Sequence, residues 1–293
     1  MAVRSQIAGI ANPAALAAAL TDAQYIAGEE LATAAYLALA LGKPLLLEGA
    51  PGVGKTEAAK ALGAILGRNV IRLQCFEGID ASSALYDWNF AAQMLAIRQA
   101  GEDHVNLYSD RFLLERPLLA ALRNPATSLL LIDEIDRSDH EFEAFLLEFL
   151  SDFTISIPET GTERAVEPPV VVLTSNRTRD LHEALRRRCV YHWIDYPDPG
   201  LEADIVMMRA STVARATADA VVASVNIMRQ EPLQKPPGIA ETVEWAEAAT
   251  LLHSGGSNWP QAFLRSIGVA LKDHDDLTYL GDRLMQILPG EAA

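Results

Sequence analysis

The sequence predicts an α/β core built on a five-stranded parallel sheet, followed by a smaller all-helical domain. Three observations carry that expectation. Short apolar runs recur at KPLLLEG, NVIRLQC, SLLLID, VVVLTSN and VYHWIDY, each the length of a buried strand. Helical patterns such as EFEAFLLEFL and DLHEAL lie between them, and strands alternating with helices make a parallel sheet covered on its faces. At YPDPG, whose prolines and glycine mark a boundary, the alternation ends and only helical patterns follow.

Taken in order, residues 1–24 read as a lead-in with an alanine-rich helix, 25–197 as the core and 198–293 as the helical domain. The core opens with a helix from Tyr25 to Leu41, then the KPLLLEG strand, then a helix from Thr56 to Leu66. Residues 76–110 lack an apolar period, and FTISIPETGTERAVEPP (153–169) reads as two short strands about a Glu-Thr-Gly-Thr turn, so both stretches look like insertions on the core. The second domain reads as helices at about 199–230, 240–253, 259–272 and 276–288.

Composition narrows the function classes. With 39 acids against 24 bases and a formal charge of −15 over 293 residues, the chain repels a phosphate backbone at long range, and general nucleic-acid binding is not expected. The two cysteines, Cys75 and Cys189, have no metal-binding or disulfide-framework spacing, which fits a reducing compartment and a cytoplasmic location. The longest apolar stretch, LATAAYLALALGKPLLL, is broken by Gly42, Lys43 and Pro44, so no transmembrane segment is expected, while peripheral membrane association stays open. Asn12 and Pro13 likewise interrupt any signal-peptide core. The six histidines show no mutual metal spacing, and KDHDD at 272–276 reads as a loop with helix-capping aspartates.

Chemistry concentrates at three places. GAPGVGKT runs from Gly49 through Ala50, Pro51, Gly52, Val53 and Gly54 to Lys55 and Thr56, after a strand and at the start of a helix. Glycines there let backbone N–H groups curl round phosphates, Lys55 would reach the β and γ phosphates of ATP, and the Thr56 hydroxyl would ligate Mg2+ at a helix N-terminus. SLLLIDEID places a buried strand ahead of Asp133 and Glu134, delivering both carboxylates to the sheet edge where such folds bind ligands. Asp133 is the second candidate holder of Mg2+, and Glu134 the general base for an attacking water. Asp136 and Asp139 read as caps of the following helix, whose Phe142, Phe145, Leu146 and Phe149 share one face. VVVLTSN ends on Asn176, which a parallel sheet would set beside Glu134, there to hold the water or the γ-phosphate.

The third place is ALRRRCVYHW (184–193), which gathers Arg186, Arg187 and Arg188 at a helix end in an otherwise acidic chain. A helix C-terminus answers one or two of those charges through its dipole and leaves a third to be explained.

These residues resemble the AAA+ ATPases, with Walker A at 49–56, Walker B at 128–134 and sensor 1 at Asn176. More narrowly, RLQCFEGIDASSALYDWNF, LRRRCVYHWIDYPDP and KPPGIAETVEWA are similar to the MoxR family and its CoxD-like branch, associated with maturation of carbon monoxide dehydrogenase. The resemblance implies a P-loop core with a helix-2 insertion at 76–110, a hairpin before sensor 1 at 153–169 and a helical lid. It further implies a homo-oligomer in the form of a hexameric ring, a von Willebrand A domain partner, and a metalloenzyme client whose metal centre the ATPase helps remodel or insert. Arg188 is the best match to the arginine finger that completes a neighbour's site, with Arg187 next. Where similar lids carry an arginine after a proline at a helix start, this chain has Pro260 and Gln261, which leaves Arg265 as the candidate sensor 2. Three other readings compete: a P-loop ATPase acting on DNA, a small-molecule kinase, and a nonhydrolysing nucleotide-gated scaffold.

Overall fold

The computed structural model describes residues 9–101 and 104–288. The first eight residues of the lead-in, two residues of the 76–110 insertion and the last five of the helical region lie outside the described residues. Two helices come first, α1 (Pro13–Asp22) and α2 (Glu29–Leu41), so the helix expected from Tyr25 begins four residues later, behind Gly28. β1 (Leu45–Gly49), α3 (Lys55–Ile65) and β2 (Asn69–Gln74) follow. The irregular stretch then holds α4 (Ala81–Ala84), β3 (Tyr86–Trp88), α5 (Phe90–Ala100) and β4 (Leu113–Glu115), with β3 and β4 paired antiparallel. Next come α6 (Pro117–Arg123), β5 (Ser128–Asp133), α7 (His140–Asp152), the hairpin β6 (Thr154–Ile157) and β7 (Gly161–Arg164), β8 (Val170–Ser175), α8 (Glu183–Arg188) and β9 (Val190–Ile194).

The main sheet is five-stranded, in the order β2-β5-β8-β1-β9. Its three central strands, β5, β8 and β1, are buried at every residue, as near-continuous apolar runs covered on both faces must be. Their parallel register brings Glu48 opposite Ser175, and Leu131 and Ile132 opposite Val172 and Leu173, so the strands end together on one edge. β2, at the border of the sheet, mixes exposed and buried residues and carries Arg72 and Gln74. On the flank, α7 buries Phe142, Leu146, Phe149 and Leu150, with Phe145 partly buried beside them. Its N-cap is Asp139, which accepts the Phe142 N–H at 2.8 Å as the sequence led us to expect.

The remaining chain is helical: α9 (Pro199–Arg209), α10 (Arg215–Gln230), α11 (Ile239–Ser254), α12 (Trp259–Ala270), α13 (His274–Leu280) and α14 (Leu284–Ile287). The single helix read over 199–230 is two, broken between Arg209 and Arg215 where Ala210 and Val213 turn into the core. Trp245, Phe263, Val221, Val225 and Met228 centre that core, with the Trp245 and Phe263 rings edge-on at 5.7 Å.

By contacts the chain forms two compact units, one of the sheet and its helices, the other holding everything from Ile194 onward together with Gln24–Ile26 and Ala50–Gly54. Inside the second unit, the glycine-loop residues are tied to α11: the Ile239 N–H donates to the Gly52 carbonyl at 3.0 Å, and the Tyr196 hydroxyl donates to the Pro51 carbonyl at 3.1 Å. Gly52, at φ +80°, must be glycine twice over, because a Cβ there would also lie 2.7 Å from the Gly238 Cα.

Candidate functional site

Gly54 shares the left-handed backbone of Gly52, at φ +92°, and α3 starts at the next residue, so this loop has the glycines that a phosphate-cradling turn requires. Lys55 is 6% exposed and donates from Nζ to the Gly49 carbonyl at 2.9 Å. Burial pushes its ammonium down to about 8, while Asp136, Asp133, Glu134 and Glu48 pull the other way.

Thr56 and Asp133, the two candidate Mg2+ residues, are brought together. The Thr56 hydroxyl lies 3.0 Å from Asp133 Oδ1, at the N-terminus of α3. Two hard oxygen donors so placed fit a small divalent cation held with nucleotide phosphates. Among the described residues no group of three or more His, Cys, Asp or Glu is placed to hold a metal by itself. Asp133 is 2% exposed and heavily engaged: Oδ1 also accepts from Thr174 Oγ1 at 2.5 Å, and Oδ2 accepts from Arg72 Nε at 2.8 Å and Nη2 at 2.5 Å.

Glu134 sits one residue past the strand with φ +56°, the left-handed region that a non-glycine residue enters only under constraint. Its N–H donates to Thr174 Oγ1 at 2.9 Å, which holds that turn. The side chain is half-buried and its Oε2 accepts from Gln74 Nε2 at 2.9 Å and Arg137 at 3.0 Å. Asn176 follows β8, which runs between β5 and β1, so the asparagine stands between the ends of the two strands that carry Glu134 and the glycine loop.

Asp136 corrects the sequence reading. It does not cap α7; it is 2% exposed and accepts from the Asn176 N–H at 3.1 Å, the Thr178 N–H at 2.9 Å and the Thr178 hydroxyl at 2.7 Å. Only Asp139 is a cap, because the chain makes a 3-10 turn at Ile135–Arg137 before α7 begins and turns Asp136 back towards the β8 loop. Three further residues were not singled out from sequence: Arg72, Gln74 and Thr174. Arg72 and Gln74 alternate onto the same face of β2, and their polarity inside an apolar run was the one available signal.

The three arginines end α8 and are held differently. Arg186 reaches the buried Glu48 at 3.2 Å and covers the Tyr191 ring at 5.1 Å. Arg187 is 76% exposed and pairs with Glu183 one turn back on its own helix. Among the described residues Arg188 hydrogen-bonds neutral groups alone, the Ser151 hydroxyl at 2.9 Å and the Ala184 carbonyl at 3.1 Å. In the helical unit, Arg265 is exposed on α12 and bonds Ser257 at 3.3 Å, while Gln261 donates its N–H to the Asn258 cap at 3.0 Å.

Residues 45–194, the stretch from β1 to the end of β9, match the family described as "ATPase family associated with various cellular activities (AAA)". The chain belongs to that family. Its fold is similar to solved structures of RuvB from Thermotoga maritima. A proline-to-glycine variant superposes with a TM-score of 0.53 at 19% identity, covering 82% of this chain and 68% of that one. An arginine-to-alanine variant gives 0.50 at 19% identity over 82% and 67%. At such identities the likeness is one of fold. No curated protein sequence matches the chain, and no helix among the described residues is long and apolar enough to cross a membrane.

Proposed function

We propose that this AAA-family chain hydrolyses ATP and uses the cycle to remodel a protein client. The observation that carries the reading is the meeting of Thr56, Asp133 and Glu134 at one strand edge beside a buried lysine. In this reading the N–H groups of residues 50–54 and the Lys55 ammonium receive the phosphates, and Thr56 and Asp133 hold the accompanying Mg2+. The metal, when bound, neutralises charge on the phosphate oxygens. Glu134 draws the proton from the attacking water, with Gln74 and Arg137 keeping its carboxylate oriented, and Asn176 steadies the water or the γ-phosphate. Asp136 positions Asn176 by its backbone. A carboxylate placed for water favours hydrolysis over transfer to an acceptor.

The ring and the partners belong to the same proposal. Arg188, seconded by Arg187, completes the site of the next subunit in a homo-oligomer, a hexameric ring by resemblance to MoxR proteins. Arg265 takes the sensor 2 place in the helical lid at 198–293. The client is a metalloenzyme of the molybdenum hydroxylase kind, reached with a von Willebrand A domain protein in the cytoplasm. What supports that narrower identity is the sequence resemblance of the insertion and the arginine segment.

The test is phosphate release by the purified chain at several protein concentrations. Magnesium-dependent turnover that falls on dilution and disappears in Glu134→Gln supports the reading; an absence of turnover at every concentration refutes it. Affinity capture with Glu134→Gln and ATP then tests the client, and recovery of nucleic-acid proteins alone would contradict the metalloenzyme role.

A further inference from the structure

β2 borders the sheet beside β5, and the register of the pair puts Gln74 opposite Asp133. Its two polar side chains divide the carboxylates between them: Gln74 holds Glu134, and Arg72 holds Asp133. Gln74 is neutral, whereas Arg72 brings a full positive charge to the one buried carboxylate that the nucleotide reading assigns to Mg2+. Two guanidinium nitrogens approach Asp133 Oδ2, at 2.8 Å and 2.5 Å, the close two-point contact of a charge-assisted pair. The other oxygen, Oδ1, is shared by the Thr56 and Thr174 hydroxyls. Asp133 is thus neutralised from inside its own sheet. The partners are unequally buried, for the arginine side chain is 52% exposed while Asp133 is 2% exposed. The same guanidinium also donates from Nη2 to Gln74 Oε1, so it links the two side chains that hold the carboxylates.

We propose that Arg72 is a built-in counter-cation at the metal site, which a divalent cation must outcompete for Asp133, so that Arg72 sets how much metal the site requires. The inference rests on the nucleotide and Mg2+ reading above. A cation beside a carboxylate lowers its affinity for any second positive species, and in proteins one such neighbour shifts proton affinity by about 1–3 powers of ten. Metal affinity should move in the same direction, by a smaller amount, because part of the charge is screened by water on the exposed side.

The experiment uses Mn2+ as the probe with the full chain and a non-hydrolysable ATP analogue, so no turnover is needed. Bound Mn2+ is read by electron paramagnetic resonance, and analogue binding by calorimetry. Arg72→Gln is expected to reach half occupancy at a Mn2+ concentration at least about threefold below that of the unmodified chain. Arg72→Lys, which keeps the charge and loses the two-point contact, is expected to fall between them. Melting temperatures within a few degrees of the parent show that the variants are folded. An equal or higher metal requirement in Arg72→Gln overturns the proposal, as does Arg72→Lys matching Arg72→Gln, since charge would then not be the cause. If the unmodified chain binds the analogue with no dependence on metal, the nucleotide and Mg2+ reading itself fails and takes the inference with it.

Discussion

The acidic end of β5 and the basic end of α8 are charged clusters built in opposite ways. Asp133 and Asp136 are each 2% exposed, and every carboxylate oxygen of theirs has a partner on β2, α3, β8 or the loop after β8. Glu134 is pinned through both its backbone and its side chain. The carboxylates of that end find their partners within one chain. Along α8 the hold loosens residue by residue: Arg186 is drawn in to Glu48, Arg187 has an exposed partner on its own helix, and Arg188 rests on a hydroxyl and a carbonyl. Exposed pairs such as Arg187 with Glu183 contribute about 0–1 kcal/mol, and a guanidinium on neutral acceptors keeps most of its five donors and all of its charge to give. The contrast is between carboxylates whose oxygens are already partnered and a cation held by neutral groups, and it is the physical argument behind the proposal that a neighbour receives Arg188.

That comparison can be broken, and the largest effect comes first. Arg188→Ala should leave ATP binding intact and lower turnover by about 10³–10⁵-fold, whereas Arg186→Ala should chiefly disturb Glu48 and its strand; phosphate release and calorimetry separate the two. Glu134→Gln should retain nucleotide and lower turnover by about 10²–10⁴-fold, read in the same assays, and a loss confined to binding would contradict a role in activating water. Asp136→Ala orphans the Asn176 and Thr178 donors; it should destabilise the core by about 1–3 kcal/mol in denaturant titrations and reduce turnover, with Asp136→Asn milder on both counts. The smallest effect is a silence. Burial pushes the thiols of Cys75, beside the acidic end, and Cys189, beside the arginines, up to about 12, so both stay protonated at pH 8. Neither should react with a disulfide reagent over minutes in the folded chain, and both should react at once in denaturant; rapid labelling of the native protein would show that one cluster is looser than described.

The sequence made the centre of the core legible and its connections opaque. β1, β5 and β8 are apolar runs ending in glycine, aspartate and serine, so both strand and ligand edge could be read directly. The patterns GAPGVGKT and IDE marked Thr56 and Asp133 as the two Mg2+ candidates, and they lie 3.0 Å apart. Arg72 and Gln74 escaped because their importance depends on β2 lying next to β5, and strand order is a tertiary fact that no local pattern encodes. Asp136 was misread for a related reason: an aspartate ahead of a helix looks like a cap, and only the loop returning from β8 shows its actual partners. The β3–β4 pair joins Tyr86–Trp88 to Leu113–Glu115 across α5, with no tight turn between them to announce a hairpin. The break after α9 carries neither proline nor glycine, so nothing local marked it.

The most direct measurement mixes two inactive variants. Lys55→Ala lacks a working phosphate loop but retains Arg188; Arg188→Ala retains the loop but lacks the offered cation. If Arg188 serves the pocket of a neighbouring chain, the mixture should regain a substantial fraction of turnover that neither variant shows alone, greatest when the two are combined in about equal amounts. A mixture that stays as inactive as its components, or an Arg188→Ala protein that hydrolyses ATP at the unmodified rate, would contradict the account.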